Sequence, residues 1–176
     1  METFAYKICL FGPGGVGKTT LTRKYLTGLF EEDTKFTMGA SIFVKHLKIN
    51  DKKVLVQIWD FGGEQQYRFL LPVYSHGSAG GIFMFDLSRY STIKDIEEWI
   101  TIFKEGLDKN ERELPLLLVG GKLDLSEKRS VSKEVALEFA KKNECFEYIE
   151  CSSKTGENVE KLFEILINEI LKWSSP

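Results

Sequence analysis

Gly12-Pro13-Gly14-Gly15-Val16-Gly17-Lys18-Thr19 is the stretch that decides the fold, and it directly follows an apolar run from Tyr6 to Phe11. Glycines at this spacing let backbone N–H groups point inward around a phosphate, where larger side chains would block the approach. Lys18 would place its ammonium group against the β- and γ-phosphates, and Thr19 would offer a hydroxyl to Mg²⁺. The pattern therefore predicts a strand, a phosphate-binding loop and a helix that begins at Lys18.

The composition fits one globular domain, which we predict to span residues 1–176. With 43% hydrophobic residues, 28% charged residues and a net charge of −2, the chain has no bulk attraction for nucleic acid or for an anionic membrane. No apolar run approaches the ~20 residues that span a bilayer. The three cysteines, Cys9, Cys145 and Cys151, lack metal-ligand spacing. We expect a monomeric cytoplasmic protein with reduced core cysteines and no nucleic-acid partner.

Short apolar runs alternate with longer helical patterns, which predicts an α/β fold with a mainly parallel sheet and about five helices. Asn50-Asp51-Lys52 lies between two strand patterns and predicts a hairpin, hence one antiparallel strand at the sheet edge. The first helix is predicted to end near Thr27. In the last helix, apolar residues recur at helical spacing from Val159 to Leu171. Six strands are predicted: Phe4–Leu10, Ile42–Ile49, Val54–Asp60, Gly80–Asp86, Leu114–Val119 and Glu147–Glu150.

The loop after the third predicted strand reads Trp59-Asp60-Phe61-Gly62-Gly63-Glu64. In such a sheet the ligand lies beyond the carboxyl ends of the strands, so an aspartate that ends a strand beside the phosphate loop can hold Mg²⁺, usually through a water. Asp60 is that residue. Gly63 would let its backbone N–H approach the γ-phosphate, which makes the conformation of this loop depend on that phosphate.

Four segments together resemble the Ras superfamily of small GTPases: the phosphate loop, the W-D-x-x-G segment, Gly121-Lys122-Leu123-Asp124 and Cys151-Ser152-Ser153-Lys154. The resemblance covers essentially the whole chain. Thr37-Met38-Gly39 and the hairpin after it resemble the Rab branch, whereas W-D-F-G-G is more similar to the Arf branch and some prokaryotic relatives. The resemblance implies a three-layer P-loop NTPase fold, the small G domain. It also implies GTP and GDP as ligands, Mg²⁺ as cofactor, and slow hydrolysis of GTP.

The resemblance also implies roles for single residues. Asp124 would accept hydrogen bonds from guanine N1 and N2, and adenine offers neither hydrogen. Lys122 would lay its alkyl stem along the base, and Phe30 would pack edge-on against it, although Phe30 could also be an ordinary core residue. The implied nucleotide-binding residues are Gly14, Gly15, Val16, Gly17, Lys18, Thr19, Thr20, Phe30, Thr37, Gly63, Lys122, Asp124, Leu125, Ser152, Ser153 and Lys154.

Two switch segments are implied, at residues 30–39 and 62–74. Thr37 in the first would reach Mg²⁺ and the γ-phosphate only in the triphosphate state, so the metal would be held by Thr19, Thr37 and, through water, Asp60. The implied catalytic residues are Lys18, Thr37, Gly63 and Glu64. Effectors, exchange factors and GTPase-activating proteins would bind the switch surface, for which we single out Met38, Phe43 and Tyr67. Arg68 could act as an internal arginine finger or lie on a solvated helix.

Gly121 departs from the family pattern, which has an asparagine at this position. A side chain that would hydrogen-bond the base, and would tie the guanine loop (Gly121–Asp124) to the phosphate loop, is therefore missing. The loss of one buried hydrogen bond is expected to weaken nucleotide binding by about three- to tenfold. The sequence thus predicts fast nucleotide release that Gly121→Asn would slow.

Glu64 is the second departure, because most of the family has a glutamine that orients the attacking water. Glutamine can donate to the transition-state phosphate, whereas an ionised glutamate only accepts and adds negative charge. Hydrolysis could be impaired, or Glu64 could act as a base if nearby phosphates raise its pKa. We expect a slow GTPase.

Two other classes of function share parts of this pattern. A GTP-binding scaffold with negligible hydrolysis, a pseudo-GTPase, is kept open by Glu64 and Gly121. A P-loop kinase is disfavoured by Asp124 and by the lack of an arginine-rich lid. The sequence ends at Trp173-Ser174-Ser175-Pro176, without the prenylated cysteines of most relatives. We expect no lipid anchor in this sequence, and any membrane association would come through partners or a missing tail.

Overall fold

Six strands form one sheet in the computed structural model, which describes residues 2–32, 39–108 and 113–174. They are β1 (Thr3–Phe11), β2 (Ala40–Ile49), β3 (Lys52–Phe61), β4 (Gly80–Asp86), β5 (Leu116–Gly121) and β6 (Glu147–Glu150). Their order across the sheet is β2-β3-β1-β4-β5-β6, and every neighbouring pair is parallel except β2 with β3. The predicted mostly parallel sheet with one antiparallel edge strand is confirmed.

Five α-helices lie within the described residues, as predicted. They are α1 (Lys18–Thr27), α2 (Leu71–Ser75), α3 (Ile96–Glu105), α4 (Lys133–Lys142) and α5 (Val159–Ser174). Short 3₁₀ turns at Gln65–Leu70, Tyr90–Thr92 and Ser126–Lys128 complete the connections. None of the helices in these described ranges is long and apolar enough to cross a membrane.

Burial along the strands follows from their position in the sheet. All seven residues of β4 are buried, because this strand has a neighbour on each side and helices over both faces. The edge strand β2 instead alternates between half-buried and exposed residues. Asn50 and Asp51 form the turn of the predicted hairpin with positive φ angles of 47° and 63°, the conformation that a two-residue hairpin turn needs.

The start of β5 differs from the sequence prediction. Leu114 was expected in the strand, which begins instead at Leu116 and extends to Gly121. Pro115 lacks an N–H group to donate to the sheet, so the strand starts after it. The extension at the other end matters for the site, because Gly121 is a strand residue opposite Asp86 of β4.

Two apolar cores cover the two faces of the sheet. Leu21 and Tyr25 of α1 share one core with the apolar face of α5, while α2, α3 and α4 cover the other. In α5, the predicted apolar face is buried from Val159 to Ile170, and Leu171 is half-buried. The helices and sheet form three layers, with the connecting loops at the carboxyl ends of the parallel strands.

The cysteines are core residues, as the sequence predicts. Cys9 and Cys151 are buried, Cys145 is half-buried, and none forms a disulfide. Burial raises the pKa of each thiol to about 12, so none is activated as a nucleophile.

Candidate nucleotide-binding site

The phosphate loop connects β1 to α1 beside the carboxyl end of β4. Gly12 has a φ of 139°, and a Cβ at this position would lie within 3.0 Å of the Met84 carbonyl oxygen. Gly17, the residue immediately before α1, has a φ of 102°. Both positions require glycine because of their positive φ angles, and Gly12 requires it also because of its close approach to Met84.

Lys18 is held across this loop by backbone oxygens. Its Nζ donates hydrogen bonds to the carbonyl oxygens of Gly12 at 2.9 Å and Pro13 at 2.7 Å, and the residue is only 5% exposed. Burial lowers the pKa of Lys18 to about 8, although the charge of Asp60 opposes that shift. An anionic phosphate beside Lys18 would favour its charged form.

Asp60 and Thr19 form the part of the site that could hold a divalent cation. Thr19 Oγ1 donates a short hydrogen bond to Asp60 Oδ2, while Asp60 Oδ1 is buried and has no hydrogen-bond donor among the described residues. Burial raises the pKa of Asp60, against the hydrogen bond from Thr19 and the charge of Lys18. A hydroxyl next to an unsatisfied carboxylate oxygen fits Mg²⁺, which would neutralise charge on the phosphates. Thr37 lies outside the described residues.

Gly63 packs directly against the phosphate loop. The Gly14 N–H donates to the Gly63 carbonyl oxygen at 3.2 Å. A Cβ at Gly63 would lie within 3.0 Å of backbone atoms of Gly12, Pro13 and Gly14. The segment after β3 is therefore in direct contact with the place where the phosphates are expected.

A cavity of about 330 Å³ continues from the phosphate loop to the loops after β5 and β6. Ten residues predicted to bind the nucleotide line it: Gly15, Val16, Gly17, Thr20, Phe30, Lys122, Asp124, Leu125, Ser153 and Lys154. Sequence reasoning missed Glu32 and Met84, which also line it. Five other residues predicted to bind the nucleotide do not line the cavity, but each is hydrogen-bonded to another residue of the site: Gly14, Lys18, Thr19, Gly63 and Ser152.

Asp124 is oriented by the loop after β6. Ser152 Oγ donates to Asp124 Oδ1 at 2.8 Å, and the same hydroxyl accepts the Thr155 N–H at 3.1 Å. The Leu123 N–H donates to the Cys151 carbonyl oxygen at 3.0 Å, which joins the two loops. The position of the Asp124 carboxylate is therefore determined by both loops, and the residue lines the cavity.

Asp86, at the carboxyl end of β4, ties the guanine loop to the phosphate loop. Lys122 Nζ lies 3.0 Å from Asp86 Oδ2 and donates to the Gly15 carbonyl oxygen at 3.1 Å. Arg89 contacts the same two partners, at 3.1 Å and 3.0 Å. Burial alone would raise the pKa of Asp86, but hydrogen bonds from Ser88 and Lys122 outweigh it, and the pKa lies below its ordinary value. The sequence predicts that the connection between the guanine loop and the phosphate loop is weakened at Gly121. In the structure, Asp86, Lys122 and Arg89 connect the two loops instead.

Replacing Arg89 with alanine should loosen this tie and speed nucleotide release. The Arg89 side chain is 46% exposed, so we expect a modest effect, about two- to fivefold, from the loss of its partly screened contacts. Stopped-flow dissociation of a fluorescent GDP analogue measures it, with the exposed Lys94→Ala as the matched control. Equal release rates for Arg89→Ala and Lys94→Ala would contradict this role.

Glu64 and Arg68 do not line the cavity. Glu64 is half-buried and its Oε2 accepts a hydrogen bond from Gln66 Nε2 at 2.7 Å. The Arg68 guanidinium stacks 4.3 Å from the centre of the Trp99 ring and lies 3.1 Å from Glu98, both on α3. The solvated position predicted for Arg68 is wrong, because the aromatic face and the carboxylate of α3 hold its side chain. A role as an internal arginine finger stays a prediction.

The residues predicted to face partners differ in their exposure, and their role stays a prediction. Phe43 and Tyr67 are partly buried and pack against the two cores, so neither side chain presents its apolar surface fully to solvent. The exposed apolar residues of β2 are Ile42 and Val44, one to either side of Phe43, because successive side chains of a strand alternate between faces. Met38 lies outside the described residues.

Comparisons with known proteins agree with this geometry. A sequence model of the Ras family matches residues 7–172. Ras-related protein Rab-25 of Homo sapiens is 35% identical over 167 residues, which cover 95% of this chain and 76% of that protein. Ras-related protein Rab-11A of Dictyostelium discoideum is 33% identical over 167 residues, with coverages of 95% and 76%. GTP-binding protein ypt3 of Schizosaccharomyces pombe is 31% identical over 169 residues, with coverages of 96% and 77%.

Proposed function

Because this chain belongs to the Ras family and is a Rab-like small GTPase, we propose that it is a switch that binds GTP or GDP with Mg²⁺ and hydrolyses GTP slowly. The observation that carries the proposal is the cavity that runs from Gly15–Gly17 of the phosphate loop to Asp124, a carboxylate suited to guanine. The Lys18 ammonium is held by the carbonyl oxygens of Gly12 and Pro13 in the same loop.

We assign different roles to the residues at the two ends of this site. Lys18, Thr19 and Asp60 bind the phosphates and Mg²⁺, and Gly63 senses the γ-phosphate through its backbone N–H. Asp124 selects guanine, with Lys122 and Phe30 covering the base. Thr37 would complete the metal site in the triphosphate state. Switch segments 30–39 and 62–74 would then present effectors with a surface that depends on the nucleotide.

Partners and location follow from the family in coarser terms. Rab-like relatives support a role in vesicle trafficking, with exchange factors and GTPase-activating proteins at the switch surface. We propose that the protein acts as a cytoplasmic monomer. Phe69 and Val73 of the second switch segment are exposed and supply apolar area for an effector.

The effect of Glu64 on the rate of GTP hydrolysis distinguishes a slow GTPase from the scaffold alternative. We expect Glu64→Gln to hydrolyse GTP faster than the wild type, on the order of tenfold, because an amide can both donate to the phosphate and accept from the water. Glu64→Ala should be slower than the wild type by a similar factor, since it leaves nothing to orient the water. Single-turnover hydrolysis with preloaded GTP measures all three.

The control for this series is Glu105→Gln, which neutralises an exposed carboxylate at the end of α3 and should hydrolyse GTP at the wild-type rate. Equal rates for the wild type, Glu64→Gln and Glu64→Ala would show that Glu64 has no catalytic role. A wild type that retains GTP unchanged while Glu64→Ala hydrolyses it would favour the scaffold instead.

A further inference from the structure

Met84 and Gly121 compete for one small space in the wall of the cavity. Met84 is 1% exposed and its side chain lines the cavity from β4. A Cβ added at Gly121 would lie within 3.0 Å of Met84 Cε, 3.4 Å from the Phe85 carbonyl oxygen and 3.5 Å from that of Val16. The Met84 methyl group therefore fills the space into which any side chain at position 121 would point.

The same methyl group also faces the phosphate loop. A Cβ at Gly17 would lie 3.8 Å from Met84 Cε, an ordinary van der Waals distance. Met84 Cε thus lies between Gly17 of the phosphate loop and Gly121 of the guanine loop. A long, flexible thioether is well suited to fill such an irregular gap. The two loops are joined here by an apolar contact, where a polar side chain at position 121 would have joined them by a hydrogen bond.

We propose that Met84 takes the place of the missing side chain at position 121, so that the two residues jointly set nucleotide retention and leave guanine N7 without a side-chain donor. The proposal rests on the proposed function, because it assigns a wall of the same guanine site.

The assignment of N7 follows from the chemistry of the base. Asp124 as a pure acceptor takes the hydrogens of N1 and N2. The backbone N–H groups of Ser153 and Lys154 are expected to bind the guanine oxygen, which leaves N7 as the other acceptor on that edge. We place N7 beside the Met84–Gly121 wall, because Asp124 and the loop at Ser153 and Lys154 are assigned to the other polar groups of the base. A thioether methyl group donates no hydrogen bond.

This arrangement changes what Gly121→Asn should do. The sequence alone predicts that asparagine would slow nucleotide release. With Met84 present, the new side chain must displace the methyl group of a residue that is buried in the core and borders the cavity. The Met84 methyl group is the end of a flexible side chain and can move, but a residue that is 1% exposed has little free space to move into. We therefore expect asparagine at position 121 to reach the base well only when the side chain at position 84 is shortened.

A double-mutant cycle tests the pairing. Release of a fluorescent GDP analogue is measured for the wild type, Gly121→Asn, Met84→Val and the double variant, with thermal unfolding of each GDP complex as the folding control. We expect release from Gly121→Asn and from Met84→Val to be no slower than from the wild type. The double variant should release at least about fivefold more slowly than either single variant. Leu118→Val, in the core of the opposite face, should leave release unchanged.

A base analogue supplies a readout that general loosening of the fold would not move. In 7-deaza-GDP, N7 is replaced by C–H. The wild type should bind 7-deaza-GDP and GDP within about twofold of each other, because it has no side-chain hydrogen bond to lose. The double variant should prefer GDP by about three- to tenfold, the value of one neutral hydrogen bond.

The outcomes separate this inference from the proposed function. If Gly121→Asn alone slows release as much as the double variant does, or if the wild type already discriminates against 7-deaza-GDP, the pairing of Met84 with Gly121 is wrong while guanine binding stands. If the wild type fails to bind GDP at all, the proposed function itself is wrong.

Discussion

Replacing Asp124 with asparagine is expected to abolish tight binding of GDP and to create binding of xanthosine diphosphate. The variant would lose the two charge-assisted hydrogen bonds that the carboxylate accepts from guanine, each contributing about 1.5–3 kcal/mol. Its affinity for GDP should therefore fall by about 10²- to 10⁴-fold. The amide of asparagine can donate to the oxygen that xanthine carries in place of the guanine amino group, and can still accept from N1. Competition of both diphosphates against a fluorescent GDP analogue gives the two affinities.

The matched control for this exchange is Glu127→Gln, which neutralises an exposed carboxylate three residues further on that does not line the cavity. It should bind GDP as the wild type does and xanthosine diphosphate not at all. An Asp124→Asn variant that keeps its preference for GDP would show that another group recognises the base. Asp124 would then be only a partner of Ser152, whose hydroxyl donates to it at 2.8 Å.

Replacing Gly63 with alanine is expected to disconnect the second switch segment from the phosphate loop. The added Cβ would lie within 3.0 Å of backbone atoms of Gly12, Pro13 and Gly14, which cannot yield as a flexible side-chain end can. Gly63 must move away, and the hydrogen bond from the Gly14 N–H is lost with it. If its N–H also binds the γ-phosphate, GTP hydrolysis should fall by about 10²-fold, the cost of removing one donor from a transition state.

Two measurements read this out. Single-turnover GTP hydrolysis reports the catalytic loss, and the ratio of affinities for GDP and for a non-hydrolysable GTP analogue reports sensing of the γ-phosphate. Affinity for GDP should stay near the wild-type value, because GDP lacks that phosphate. Gln65→Ala, at an exposed position two residues further on, is the control. Wild-type hydrolysis by Gly63→Ala would contradict the role given to this backbone.

The parts of the site that follow strand ends could be predicted from the sequence. Asp60 was found by the rule that ligands lie beyond the carboxyl ends of parallel strands, and the structure places it against Thr19. The same rule applied to β4 would have pointed to Asp86, which ends that strand and pairs with Lys122. Its role was missed because no recognised motif contains it.

Other features depend on side-chain packing that no local pattern encodes. Arg68 has a long side chain that could reach several partners. It contacts Trp99 and Glu98 because the second switch segment packs on α3. The contact between Met84 and Gly121 depends on how β4 and β5 pair, because register determines which side chain fills the space left by a glycine. Gly121 could be recognised as a departure from the family, but its compensation could not.

The central claim is that this site binds a guanine nucleotide with Mg²⁺, and it is tested most directly by titrating fluorescent GDP and ADP analogues side by side, with Mg²⁺ and with a chelator. We expect GDP to bind at least about 10²-fold more tightly than ADP, because Asp124 finds two hydrogens on guanine and none on adenine at these positions. Removing Mg²⁺ should speed release of GDP. Equal affinity for GDP and ADP, or tight binding of GDP that does not respond to Mg²⁺, would contradict the account.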